Sequence, residues 1–211
     1  MYSLSDESPA NPLGPDWTLS PHWTNGNRFI SYSIEPACLD QTLVPAAERA
    51  TNRTYLFAKT RDYIESHHND TAWTLDDLGG VIDRLGLDMI AGIRDEDDET
   101  SRDHLKSLGI DNKGRLDAHS FRGYVSSSRL FVGVGRPRIS PSPLEALCLG
   151  VPFINPIGIY DHEDVWNVSA WNSQHWAFQH MEPPYVYNVF ARDIAGLESA
   201  IVAALAHPID S

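Results

Sequence analysis

Leu130-Phe131-Val132-Gly133-Val134-Gly135-Arg136-Pro137-Arg138-Ile139-Ser140-Pro141-Ser142-Pro143-Leu144-Glu145-Ala146 decides the fold class. It opens on a short apolar run suited to a buried strand and passes through a glycine-bearing loop with two arginines. A helix then starts, with Ser142 at the cap position and Pro143 at the first helical position. A strand that feeds a helix through a short loop is half of a βαβ unit, whose sheet is parallel and covered on both faces. Downstream, Gly150 stops the helix and Pro152-Phe153-Ile154-Asn155 supplies the next strand.

The alternation continues on both sides. Tyr55-Leu56-Phe57-Ala58 reads as a strand followed by a helical stretch from Arg61 to Ser66, and Phe29 to Ile34 as an earlier strand. Leu78, Val81, Ile82 and Leu85 recur at helical spacing. Thr74 and Asp77 have capping-box spacing at the start of that helix, and Gly86 ends it. Leu87 to Ile93 follows as a strand, and Asp117 caps a helix carrying Phe121, Tyr124 and Val125. Tyr185 to Val189 and a helix from Ile194 to Ala206, ended by Pro208, close the chain. The fold expected is α/β, a Rossmann-like parallel sheet over residues 28–211 behind an irregular lead-in at residues 1–27.

At 211 residues, with 42% hydrophobic residues and six Trp, the chain has the composition of a globular protein with a sizeable core. No apolar run reaches the ~18–20 residues of a membrane span, and the Ser/Pro-rich start lacks the basic and apolar regions of a signal peptide. A formal charge of −13 opposes general association with nucleic acid or an anionic bilayer. An anionic ligand therefore needs a local basic island. Cys38 and Cys148 are too few for a disulfide scaffold and have no zinc-ligand spacing. Sequons at Asn52, Asn69 and Asn167 would be glycan acceptors in a secretory lumen, and such sequons also arise by chance in a Ser/Thr-rich chain.

The basic island lies in the opening stretch. Gly133 and Gly135 let backbone approach a ligand, Arg129, Arg136 and Arg138 concentrate positive charge, and the helix start at Ser142 offers free N–H groups to an anion. A dinucleotide fingerprint fits poorly, because Arg138 occupies the third glycine position. Glu145 has two readings. Its spacing from Ser142 is that of a capping box, which the spacing favours. The other reading is a carboxylate at the carboxyl edge of the sheet, accepting hydrogen bonds from two ribose hydroxyls.

Other candidates read as structure. Adjacent His67 and His68 point to different sides of any element, and these, like His162 among Asp161, Glu163 and Asp164, read as polar residues facing solvent, so no metal site is expected. Ser142 lacks the Gly-x-Ser-x-Gly setting of a hydrolase nucleophile. Trp166, Trp171 and Trp176, five apart, match neither helix nor strand and read as packing of a long loop. Arg94 to Glu99 reads as a solvated loop.

Residues Leu130 to Pro156, with Leu-Phe-Val-Gly-x-Gly-x-Pro, Pro-Ser-Pro-Leu-Glu-Ala, Gly150 and Phe153-Ile154-Asn155-Pro156, resemble the nucleotide-sugar half of the N-acetylglucosaminyltransferase V family, glycosyltransferase family 18. Similarity extends to Phe29–Glu35, to Tyr55–Lys59 with the family's lysine, to Asn172-Ser173-Gln174-His175 and to the late helix, covering residues 28–208. Ile139-Ser140 stands where the family has an acidic residue and glycine, and Ile157 where a lysine is common.

The resemblance implies the C-terminal half of a GT-B enzyme that transfers GlcNAc from UDP-GlcNAc in inverting β-1,6 linkage to mannose of N-glycans in the Golgi lumen, without a metal or other cofactor. It implies that Glu145 holds the ribose, Lys59 and the Ser142 helix start the diphosphate, and Ser173, Gln174 and His175 the sugar or phosphate side. Gly133, Gly135 and Arg136 would line the same site. It also places the general base and the acceptor contacts on an N-terminal domain, so no catalytic residue is expected on this chain and these residues alone are expected to be inactive. A non-catalytic nucleotide-sugar-binding module, or a GT-B transferase with another donor or acceptor, would carry the same residues.

Overall fold

A computed structural model describes residues 17–18, 28–29, 34–65, 71–94 and 99–209. The chain divides into two units, Met1–Asp40 and Gln41–Ser211. In the first, β1 (Trp17–Thr18) pairs in parallel with β2 (Arg28–Phe29), and α1 (Glu35–Leu39) starts with proline in its first turn. Most of the expected lead-in and residues 30–33 of the expected first strand lie outside the described residues.

The second unit runs β3 (Arg53–Phe57), α2 (Leu75–Leu85), β4 (Asp88–Ala91), α3 (Glu99–Ser107), β5 (Ile110–Asn112), α4 (Ala118–Ser126) and β6 (Leu130–Gly133). It continues through α5 (Ser142–Cys148), β7 (Phe153–Ile159), β8 (Asn172–Ser173), β9 (Val186–Phe190) and α6 (Ile194–Ala206). The strands form one seven-stranded sheet in the order β5-β4-β3-β6-β7, with β9 parallel to β7 on its far side. This is the expected Rossmann-like α/β fold. β8 alone runs antiparallel, pairing with the outer end of β7.

Alternating side chains build the two faces. Tyr55, Phe57, Phe131 and Phe153 point to one side, where they pack with Val125 of α4 and Ala146 of α5. Phe57 and Phe131 stack at 4.9 Å between ring centroids. Leu56, Val132 and Ile154 point to the other side, against Leu78, Val81 and Ile82 of α2 and Leu197 and Ile201 of α6. Each fully buried aliphatic or aromatic side chain of this kind stabilises the fold by about 1.5–3 kcal/mol.

Local signals fix the helix ends that sequence spacing anticipated. Thr74 and Asp77 cap α2 reciprocally, and Gly86 ends it in the left-handed conformation at φ +61°. The Asp117 side chain accepts from the Ser120 amide at the start of α4. The helical stretch expected after β3 is a single 3-10 turn at Arg61–Tyr63 within the described residues.

The capping box expected at Ser142 and Glu145 does not form. Pro141 already has helical dihedrals and sits at the cap position, so Ser142 is the first helical residue and no side chain caps the helix. The Ser142 amide instead meets Oγ of Ser140 at 3.4 Å. The carboxylate of Glu145 is thereby left free of capping duty.

Candidate functional site

The strand order reverses between β3 and β6: the chain steps from β3 out to β4 and β5, then returns to β6 and continues through β7 to β9. Loops leaving the carboxyl ends of the two central strands diverge there and leave a crevice, the usual ligand position in an open parallel sheet. β3 delivers Lys59 to this crevice and β4 delivers Arg94. The segment before α4 delivers Arg115 and Asp117, and the start of α5 delivers Ser142 and Glu145. Together they line an open cleft of about 320 Å³, floored by Tyr55, Phe57 and Phe121.

Charge inside this cleft opposes the charge of the chain. Burial lowers the Lys59 pKa below the ordinary lysine value; Arg94 pushes it further down, and Glu145 pulls the other way. Arg122 of α4 donates from Nε to Oε2 of Glu145 at 3.2 Å, with both side chains partly buried. One bond to Arg122 leaves acceptor sites on the carboxylate for a ligand, since a carboxylate has about four lone-pair positions. A cation beside an oriented carboxylate over an aromatic floor suits a ligand with both anionic and hydroxyl groups.

The remaining expected residues gather next door. Gly135, Ser173 and Gln174 line a smaller cavity of about 180 Å³ with Arg138 and Asn172. The Ser173 hydroxyl is buried and has no hydrogen-bond partner among the described residues. Gly133 lines neither cavity; a Cβ there would lie 2.3 Å from Oε1 of Gln174, so that side chain fills its space. His175 is 5% exposed and stacks on Phe178 at 4.3 Å. Burial pushes its pKa down to about 4, against an opposing hydrogen bond to the Ser140 backbone, so the imidazole is neutral at physiological pH. Arg136 is half-buried and lines neither cavity.

The sequence model of glycosyltransferase family 18 matches residues 15–211. The chain belongs to glycosyltransferase family 18. No curated protein matches it. Membership of this family means glycosyl transfer, which requires a sugar donor and an acceptor.

Two arginines lining the cleft, Arg94 and Arg115, and a third bonded to Glu145, Arg122, escaped the sequence reading. Arg94 looked like the start of a charged loop, and residues 95–98 of that loop lie outside the described residues. Its place three residues beyond β4, at the carboxyl edge, was the available signal. Arg115 and Arg122 carried no such signal, because only the packing of α4 against α5 brings them near Glu145.

Among the described residues no three His, Cys, Asp or Glu side chains group to hold an ion, and His67 and His68 lie outside those residues. His162 meets the ring of Tyr160 edge-on. Trp171 packs the loop as expected, donating its indole N–H to the Val165 carbonyl at 2.8 Å, whereas Trp166 is 75% exposed. Among the described residues no helix is long and apolar enough to cross a membrane.

Proposed function

We propose that the β3/β6 crevice binds the nucleoside diphosphate of UDP-GlcNAc, and that the chain is the donor-binding C-terminal half of a GT-B, inverting GlcNAc-transferase acting on N-glycans in the Golgi lumen. The observation that carries this reading is the convergence of Lys59 and Glu145 in one cleft, from strand and helix ends 86 positions apart, at the reversal of strand order. The family resemblance assigns these two residues the diphosphate and the ribose, and their shared cleft supports that division.

In the transfer, an acceptor mannose O6 forms a bond to the GlcNAc anomeric carbon from the face opposite the nucleotide. The bond from that carbon to the β-phosphate oxygen breaks, and its electron pair leaves with UDP. The acceptor hydroxyl proton passes to a general base, a role this reading gives to no residue of the chain. Lys59, with Arg94 and Arg115 at the same cleft, stabilises charge as it develops on the diphosphate. Glu145 accepts from the ribose hydroxyls and fixes the register of the nucleotide. Ser142 stands on the phosphate side, and Ser173 with its unpartnered hydroxyl faces the sugar side. This division of labour needs no divalent metal.

Calorimetric titration of the 211-residue chain in EDTA with UDP, UDP-GlcNAc, UDP-glucose and GDP-mannose tests the reading. Binding of UDP, UDP-GlcNAc and UDP-glucose, with GDP-mannose weaker by about tenfold or more, is expected. Binding that appears only when Mg²⁺ is added, or equal binding of GDP-mannose, contradicts it.

A further inference from the structure

We propose that Gln174 is a positioning residue for the nucleotide cleft, holding the loop between β6 and α5 in its binding geometry through hydrogen bonds to that loop. The proposal rests on the reading that the crevice binds a nucleoside diphosphate, and it concerns how that site is held in shape.

Strand pairing puts Gln174 where it can do this. Ile157 of β7 pairs with Ser173 of β8 on one edge and with Phe190 of β9 on the other. β6 pairs with β7 on the edge opposite β9, so β8 lies on the β6 side, beyond the last residue of that strand. Gln174 follows β8 directly and lands over Gly133 to Ile139.

Each end of its carboxamide is committed to the loop. Oε1 accepts from the Gly135 amide at 2.9 Å, and Nε2 donates to the Pro137 carbonyl at 3.2 Å. The main-chain carbonyl of Gln174 accepts from the Ile139 amide at 3.1 Å, and its amide donates to the Pro156 carbonyl at 2.8 Å, anchoring the whole to β7. A neighbouring tie joins Arg138 to the Asn172 side chain. Gln174 is 2% exposed, so these bonds form away from competing water.

The loop's backbone shows what the bonds hold. Ile139 has φ +52°, a left-handed conformation that β-branched residues rarely adopt and that persists only where the surroundings over-determine it. Gly135 is at φ +95°, which glycine adopts without strain. Gly133 supplies the remaining requirement, because any side chain there would collide with Oε1 of Gln174. Thus the glycines of Gly133-Val134-Gly135 make room for Gln174 and shape the loop around it. Held this way, the loop delivers α5, and with it Ser142 and Glu145, to the cleft before a ligand arrives. Releasing it would add the ordering of this segment to the cost of binding.

The test uses Gln174→Met in the 211-residue chain, which keeps the length of the side chain and removes both of its loop bonds. Amide hydrogen exchange at Gly135 and Ile139, the melting temperature and the Kd for UDP are measured for wild type and variant. Expected are slow exchange at Gly135 in wild type, acceleration by about tenfold or more in the variant, unchanged exchange at Ile90 in the core, and a Kd for UDP raised by about tenfold. A Gly135 amide that exchanges freely in wild type, or equally in both proteins, overturns the proposal. So does an unchanged Kd beside a loosened loop, which would make the bonds local packing only. Should Gln174→Met fail to fold, wild-type exchange at Gly135 decides alone. If wild type binds no UDP, the nucleotide reading fails, and the exchange data still judge whether Gln174 holds the loop.

Discussion

Arg122 on α4 donates from Nε to Oε2 of Glu145 on α5 at 3.2 Å, so the carboxylate assigned to the ribose is oriented by a neighbouring helix. Glu145→Gln replaces one acceptor oxygen with a donor and weakens the pair. Loss of this partly exposed ion pair should cost about 1 kcal/mol or less, a small drop in the melting temperature. UDP affinity should fall by about tenfold or more, since charge-assisted hydrogen bonds to two hydroxyls are lost. A melt beside a UDP titration checks both, and a lowered melt with unchanged affinity would reduce Glu145 to a structural partner of Arg122.

Lys59→Met should weaken UDP binding by about tenfold or more and flatten its dependence on salt, because an ammonium at the diphosphate contributes a screened electrostatic attraction. Burial already lowers the Lys59 pKa. Wild-type affinity should therefore decline with rising pH before an ordinary lysine would titrate, and the variant should show no such decline. Titrations at two salt concentrations and across alkaline pH measure this; parallel curves for the two proteins would remove Lys59 from the site.

His175 makes stability depend on pH. Its folded pKa of about 4 lies below the ordinary 6.5, so between these values the unfolded chain binds more protons than the folded one. The stabilisation is fully present above pH 6.5 and is lost as pH falls through about 4, at a slope of at most about 1.4 kcal/mol per pH unit. His175→Phe keeps the stacking on Phe178 and should flatten this part of the profile. Denaturant midpoints from pH 7.5 to 4.5 compare the two, and profiles of equal slope would show that His175 titrates normally.

Gly133→Ala should destabilise by about 1–3 kcal/mol, because its Cβ would meet Oε1 of Gln174 at 2.3 Å and the Ile154 carbonyl oxygen at 2.6 Å. The second neighbour is sheet backbone and cannot move aside. Chemical denaturation measures the change. A loss below 0.5 kcal/mol, the ~0.5 kcal/mol scatter of surface substitutions, would mean that this junction is loosely packed.

What could be read from the sequence was local or periodic. The ends of α2 follow from Thr74, Asp77 and Gly86, all within the helix or next to it, and α6 coincides with the expected Ile194–Ala206. α3 and β5 were missed: Leu105 and Ile110 are the buried apolar residues there, too few to make a period. The Glu145 cap failed because a proline at 141 took the cap position, something residue spacing cannot weigh against a Ser-x-x-Glu pattern. It was the family resemblance that put Lys59 and Glu145 at one site, and both line the same cleft because a parallel sheet brings the carboxyl ends of its strands to one edge. Arg122 beside Glu145 and Gln174 beside Gly135 were not legible, since these pairs are 23 and 39 residues apart and depend on how α4 and β8 pack.

The most direct test of the central claim is a crystal structure of the 211-residue chain with UDP. The account predicts the nucleotide in the β3/β6 crevice, with its ribose hydroxyls within hydrogen-bond distance of the Glu145 carboxylate and its diphosphate beside Lys59. Nucleotide bound elsewhere, or in the crevice with the ribose turned away from Glu145, would contradict it.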